Sequence, residues 1–462
     1  MALALAPRWS RGLLSIVLVG LWPLVASAQS GKAAPDTKKG GSAPAKKDES
    51  KAAPKGTTKG ADAAPDDGGP SDVDPDAVVD PSQARKQSLI EMYKDPRAVE
   101  ALDVNKFKAL PPVARAPSRK EIQEMAQGGG NLNREVLQSF VNANVATLTA
   151  HTNLKALVDP EQPKEGAKES EIKANTSAIN GRVKQLQDAA EGLIEPLTLS
   201  ASSNNQRFRQ EYNRLLLVAL PKLLDNHLIA RTEAMIILSK TADPDALPHF
   251  IKQLNDPNQV MMVKLSAAEG ITNVAQHGRV KVDVGRANQA AKALSEYLQR
   301  ESDTFWFAQM RALEALGSLR IATDMQGQNQ CEMAGVALKF LADPDANPQL
   351  RATAAWALGM MNVPSAARFN YALVAYHMGQ AAADIADQVI ANTSSNPDLA
   401  DKLAGLLLYP IREGFYGEEG LKDAGLMNSP NMGPAKSAVT GVASRVQDVA
   451  VAAFNRLSPA TA

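Results

Sequence analysis

A single cysteine, Cys331, stands in this chain of 462 residues. That excludes an internal disulfide framework and any zinc or iron–sulfur site built from several cysteines. Histidine is almost as scarce, with five residues at 151, 227, 249, 277 and 377. No two of them share a helical face at i, i+3 or i+4, so there is no His-Glu-x-x-His set for zinc hydrolysis. Also missing are a Gly-x-Ser-x-Gly nucleophile elbow and a Gly-x-x-x-x-Gly-Lys-[Ser/Thr] phosphate cradle. Net charge is absent too: 50 Lys+Arg face 50 Asp+Glu. A globally basic nucleic-acid binder is therefore excluded, and no specific nucleic-acid partner is expected. These absences leave no catalytic residue, cofactor or metal to assign, so the expectation is a protein that is not an enzyme.

The zero is a sum over unlike regions. Residues 1–28 read as a secretory signal: Arg8 and Arg11 form a positive start, Leu13 to Val25 a short apolar run, and Ala26-Ser27-Ala28 a cleavage site. The run is shorter than the roughly 20 residues of a spanning helix, and Pro23 interrupts its end. Export to a periplasm or to the medium is the expected localisation, with no transmembrane span in the mature chain. Residues 29–81 are rich in Ala, Pro, Gly, Ser, Lys and Asp and contain no aromatic residue, a composition expected to stay disordered. Within them, 31–60 carry a net +5 and 61–81 a net −7. The Lys-rich block offers a polyanion contact, but no aromatics interleave it for base stacking, and a solvated spacer is the expected reading.

From Ser82 the helical period takes over, and the fold class expected is all-α. Residues 82–200 form an N-terminal helical region. Ser118 and Glu121 have the spacing of a capping box. Between Asn131 and Leu157 apolar residues recur at Leu137, Val141, Val145 and Leu148, with His151 beside them as an ordinary packed or rim histidine. A second stripe runs through Ile172, Ile179, Val183, Leu186, Ala190 and Leu193 at coiled-coil spacing. With 159–166 as the joint, these segments are expected to fold back as an antiparallel pair; a dimeric coiled coil uses the same residues.

Residues 201–408 are self-similar. Leu254-Asn255-Asp256-Pro257 precedes Leu341-Ala342-Asp343-Pro344 by 87 residues. A base follows each Asp by eight, Lys264 and Arg351, and an aliphatic follows each base by seven, Ile271 and Leu358. The same offsets fit Arg231 with Leu238, and Gln309 with Leu316. Anchors at 231, 264, 309 and 351 have the period of helical-pair repeats that bury their apolar faces by stacking. Leu-x-Asp-Pro, a base, Ala-Ala and Ala-Leu-Gly resemble HEAT repeats over about 226–362. The resemblance implies a right-handed α-solenoid of helical pairs. It also implies that Arg231, Asp256, Lys264, Asp343 and Arg351 are structural, with Asp and base bonding within or between neighbouring repeats. HEAT-like repeats occur as well in lyases that attach bilin pigments, but export and the missing acid–base set oppose that reading.

Two features stand apart. Cys331 opens a helix, where the N-terminus can lower a thiol pKa, or it packs as a small apolar residue. Residues 409–434 hold five glycines, three prolines and the cluster Tyr409, Arg412, Phe415 and Tyr416. They fit a partner-binding loop or, equally, a disordered insertion before a final helix in 435–462. The function expected is an exported, non-catalytic scaffold for an unidentified protein or envelope polymer. Its oligomeric state stays open.

Overall fold

A computed structural model describes residues 96–457 apart from 114, 159–166, 279–280, 303, 325–329 and 422. The candidate signal, the Lys/Asp tail and the joint at 159–166 lie outside the described residues. Every described element is helical; the only β contacts among them are two isolated bridges, Ile321–Asn362 and Gln330–Arg368. No described helix is long and apolar enough to cross a membrane.

The N-terminal part begins with α1 (Pro96–Ala101) and α2 (Arg119–Ala126). Ser118 Oγ caps α2 by accepting from the Glu121 amide at 3.2 Å, one of the four donors that a helix start leaves without a partner. The segment expected as one helix to Leu157 divides into α3 (Arg134–Thr149) and α4 (His151–Val158), because Ala150 is extended. Two hydroxyls near the break bond backward along α3, Thr147 to Ala143 O and Thr149 to Ala146 O. Such back-bonding competes with the helical ladder, and Thr149 Oγ1 also accepts the Leu110 amide at 3.0 Å.

Both α3 and α4 pack on α5 (Glu169–Ser202). The α5 seam is buried from Val183 onward, through Leu186, Ala190 and Leu193. Before that point it is open, and Ile172 is exposed. Helix α6 (Gln206–Ala219) then buries Phe208 and Tyr212 as a stacked pair, with the Tyr212 hydroxyl donating to Leu193 O of α5.

Beyond it the helices alternate between two rows. Helices α7 (Leu228–Thr241), α9 (Met261–His277), α11 (Trp306–Leu319) and α13 (Pro348–Met360) pack side by side in chain order. Helices α8 (Leu247–Asn255), α10 (Val284–Arg300), α12 (Glu332–Ala342) and α14 (Tyr371–Asn392) form the second row against them. Arg231, Lys264, Gln309 and Arg351 are each the fourth residue of their helix in the first row. The aliphatics seven residues on, Leu238, Ile271, Leu316 and Leu358, are all buried. Sequence offset thus maps directly onto position in the row.

Glycine and alanine let these helices approach closely. A Cβ at Gly270 would sit 2.4 Å from the Phe250 ring of α8, and one at Gly317 would lie 2.8 Å from the Ala357 backbone of α13. The row is covered at both ends. Helices α3 and α5 lie on α7, twelve of whose fourteen residues are buried. At the other end a helical segment drawn from 407–416 lies on α13.

Candidate binding groove

That covering segment comes from the glycine- and proline-rich stretch, which folds as a set of short helical turns. Helix α15 (Pro397–Leu406) runs into a π-turn (Leu407–Ile411) and on into α16 (Arg412–Tyr416). Pro410 lies inside the π-turn. It has no amide to give the helical ladder, and a wider turn takes up the mismatch. Gly417 and Gly425, at φ +84° and +92°, then turn the chain back on itself, and the Gly425 amide donates to Gly359 O of α13 at 2.8 Å. The chain ends in α17 (Lys436–Leu457), which packs on α14, α15 and the π-turn.

A groove of about 330 Å³ lies between the π-turn, α16 and α17. Leu408, Tyr409, Ala450, Val451 and Phe454 supply its apolar lining, and Arg412, Glu413 and Gln447 its polar part. Tyr409, Val451 and Phe454 are 52 %, 47 % and 52 % exposed, so three large apolar side chains meet water around one concavity. Single exposed apolar residues are ordinary, whereas a cluster marks an interaction surface.

The four residues singled out in this stretch are placed differently from one another. Tyr409 and Arg412 line the groove. Arg412 Nε donates to Gln447 Oε1 at 2.8 Å, and its guanidinium stacks 5.7 Å from the Tyr416 ring centre. The Tyr416 hydroxyl donates to Ala443 O at 3.0 Å, so this pair fastens α16 to α17. Phe415 is fully buried and anchors α16 from beneath. Sequence reasoning passed over Glu413, Val451 and Phe454. Val451 and Phe454 stand at i, i+3 beside the buried α17 stripe of Val439, Ala443, Val446, Ala450 and Ala453, so an apolar arc wider than packing needs was their signal. Glu413 carries no such signal. Burial pushes its carboxyl up to about 7, with Glu418 adding to the shift and Arg412 opposing it.

Of the positions singled out by the offsets, Lys264 and Arg351 link the two rows. Asp256 and Asp343 do not pair with the bases eight residues on. Each accepts from a backbone amide two residues ahead, Asn258 at 2.8 Å and Asp345 at 3.0 Å, in a local turn. Lys264 bonds Glu301 at the end of α10, and Arg351 Nη1 donates to Asp384 of α14 at 2.8 Å. Arg231 donates to Asn226 O and to Gln259 Oε1, with Phe107 stacked on it at 5.7 Å. Gln309, where the base is replaced, donates to Ser302 O at 2.6 Å.

The remaining candidates are structural or closed. His227 is fully buried and caps α7: Nδ1 accepts the Ile229 amide at 3.2 Å, and Nε2 donates to Leu102 O at 3.0 Å. Burial pushes its imidazole down to about 4. His151 Nε2 bonds Phe107 O at 2.6 Å. Burial pushes the Cys331 thiol up, against the direction a helix N-terminus would give it. Among the described residues no group of three His, Cys, Asp or Glu is arranged to hold a metal ion.

No family model matches the chain, and no curated protein matches it. Among solved structures it is similar to an engineered protein from a structural genomics consortium at 13 % identity, over 80 % of this chain and 98 % of that one. The TM-score is 0.27, and that likeness carries no argument about fold or function.

Proposed function

We propose that the protein is an exported, non-catalytic helical-repeat scaffold of HEAT-like pairs that binds a protein or an envelope polymer. One observation carries the binding half of this reading: Tyr409, Val451 and Phe454, each about half exposed, converge on a single groove at the end of the helix row. The scaffold half is supported by the common register of Arg231, Lys264, Gln309 and Arg351. Equivalent helices stacked in order form a rigid platform, and a groove at its end is held in place by the whole row. Export rests on the N-terminal sequence pattern alone.

Side-chain contacts also tie the first row together: Lys240 of α7 pairs with Glu269 of α9 at 3.0 Å, and Arg311 pairs with Glu314 along α11 at 2.6 Å. Gln276 Nε2 joins α9 to α11 by donating to Ser318 Oγ at 2.9 Å.

Immobilised full-length protein is expected to retain a discrete partner from the extracytoplasmic fraction. Replacing Tyr409 and Phe454 together by alanine is expected to lower retention about ten-fold or more, the effect of losing central aromatic anchors. Retention unchanged by that double substitution, or no retained partner at all, would sink the proposal.

A further inference from the structure

Building on the groove as a binding surface, we propose that it accepts a cationic side chain. The occupant is a lysine or arginine flanked by an apolar residue on a partner protein, with the Glu413 carboxylate as its counter-charge. The lining is otherwise apolar or already committed. Arg412 is occupied by Gln447 and by the Tyr416 ring, and it makes no ion pair with Glu413 among the described residues. Helix α17 contributes Gln447, Ala450, Val451 and Phe454 to the lining, none of them charged.

Glu413 therefore sits half-buried with Glu418 as a like charge acting on it and Arg412 as the one opposing charge. Burial is the main cause of its raised pKa and Glu418 adds to it, and no ion pair among the described residues offsets that desolvation. A cation entering the groove supplies what is missing, while Tyr409 and Phe454 offer aromatic faces to its alkyl stem and charge. An anionic polymer would meet the carboxylate as a like charge. A wholly apolar side chain would remove Glu413 from water without compensation.

The test uses full-length protein titrated at pH 8 with two capped tripeptides, leucine–lysine–phenylalanine and the same peptide with norleucine for lysine. Binding is read from the methyl resonances of Ala450 and Val451. The lysine peptide is expected to bind about ten-fold tighter or more, the scale of one half-buried charge pair. Glu413→Gln is expected to bring it down to the norleucine level and leave the norleucine peptide unchanged. Because the cation binds the ionised carboxylate, its affinity is expected to fall as pH drops from 8 to 6 through the Glu413 transition near 7. Unfolding of Glu413→Gln alongside wild type shows whether the variant is folded, and Glu413→Asp, which keeps the charge, is expected to retain the preference for lysine. Equal affinity for both peptides, no binding of either, or no pH dependence would overturn the inference. Partner retention that still depends on Tyr409 and Phe454 would then leave the scaffold reading standing, so the two fail separately.

Discussion

Gly359→Ala is expected to destabilise the protein by about 2 kcal/mol or more, as an overpacked contact does, although alanine is intrinsically the better helix former. In an open helix position the same change is worth about 1 kcal/mol in alanine's favour. At Gly359 the added Cβ would lie 2.0 Å from Gly414 O and 2.5 Å from Gly414 Cα. Both atoms belong to backbone, so no rotamer change relieves the clash; α16 has to move away from α13. Gly414 is equally confined, since a Cβ there would come within 2.7 Å of Ala355 O. Gly181 in α5 supplies the control, because nothing lies within 4 Å of its added Cβ. Urea unfolding is expected to move the midpoint down for Gly359→Ala and slightly up for Gly181→Ala. Equal midpoints would mean that α16 is not seated on α13 as described. The displaced α16 also carries Arg412 and Glu413, so the groove is expected to lose binding in the same variant.

Lys264→Ala is the second substitution with a large expected cost, about 3–5 kcal/mol, the range for breaking a buried ion pair from one side. Lys264 is fully buried in the middle of the row, and Glu301 is 17 % exposed. Burial pushes the ammonium below the ordinary lysine range, while Glu301 holds it charged. The Tyr297 ring lies 5.7 Å from the charge and extends the contact. Removing the lysine leaves a cavity and a carboxylate with its main partner gone. Changing Glu301 to Gln in the same chain is expected to return part of that loss, because the stranded charge goes with it. Arg351 makes the equivalent link to Asp384, whose side chain is 36 % exposed, so water can replace the partner and the cost is expected to be smaller. A Lys264→Ala loss below that of Arg351→Ala would contradict this ordering.

These two sites show what the sequence revealed and what it concealed. The offset from base to aliphatic recurs at one depth in α7, α9, α11 and α13, where the base or its replacement is the fourth residue and the aliphatic is buried. The ion pairs were not legible. Asp256 and Asp343 stand at a fixed eight residues before the bases, but their carboxylates are taken by amides two residues away. Glu301 and Asp384 lie 37 and 33 residues beyond the bases and become neighbours only when the second row is in place.

Glycine was misleading in a similar way. Between 409 and 434 it suggested a loop, whereas Gly414, Gly417 and Gly425 allow backbone to lie directly on backbone. Hydroxyl back-bonding at Thr147 and Thr149 divided a helix whose apolar period runs through without a break. Part of the groove was visible as Tyr409 and Arg412. Its α17 wall was not, because Val451 and Phe454 are 42 and 45 residues from Tyr409 and meet it only through folding.

The central claim is that this groove is where the scaffold meets its partner. A photo-reactive benzoylphenylalanine placed at Phe454, in cells that make the full-length protein, tests it most directly. Val218 on α6 is the control, since it is also apolar and 57 % exposed but lies outside the groove. Irradiation is expected to give a discrete adduct from position 454 that is absent from position 218 and disappears when Tyr409 is changed to alanine. No adduct at 454, or the same adducts from both positions, would contradict the claim.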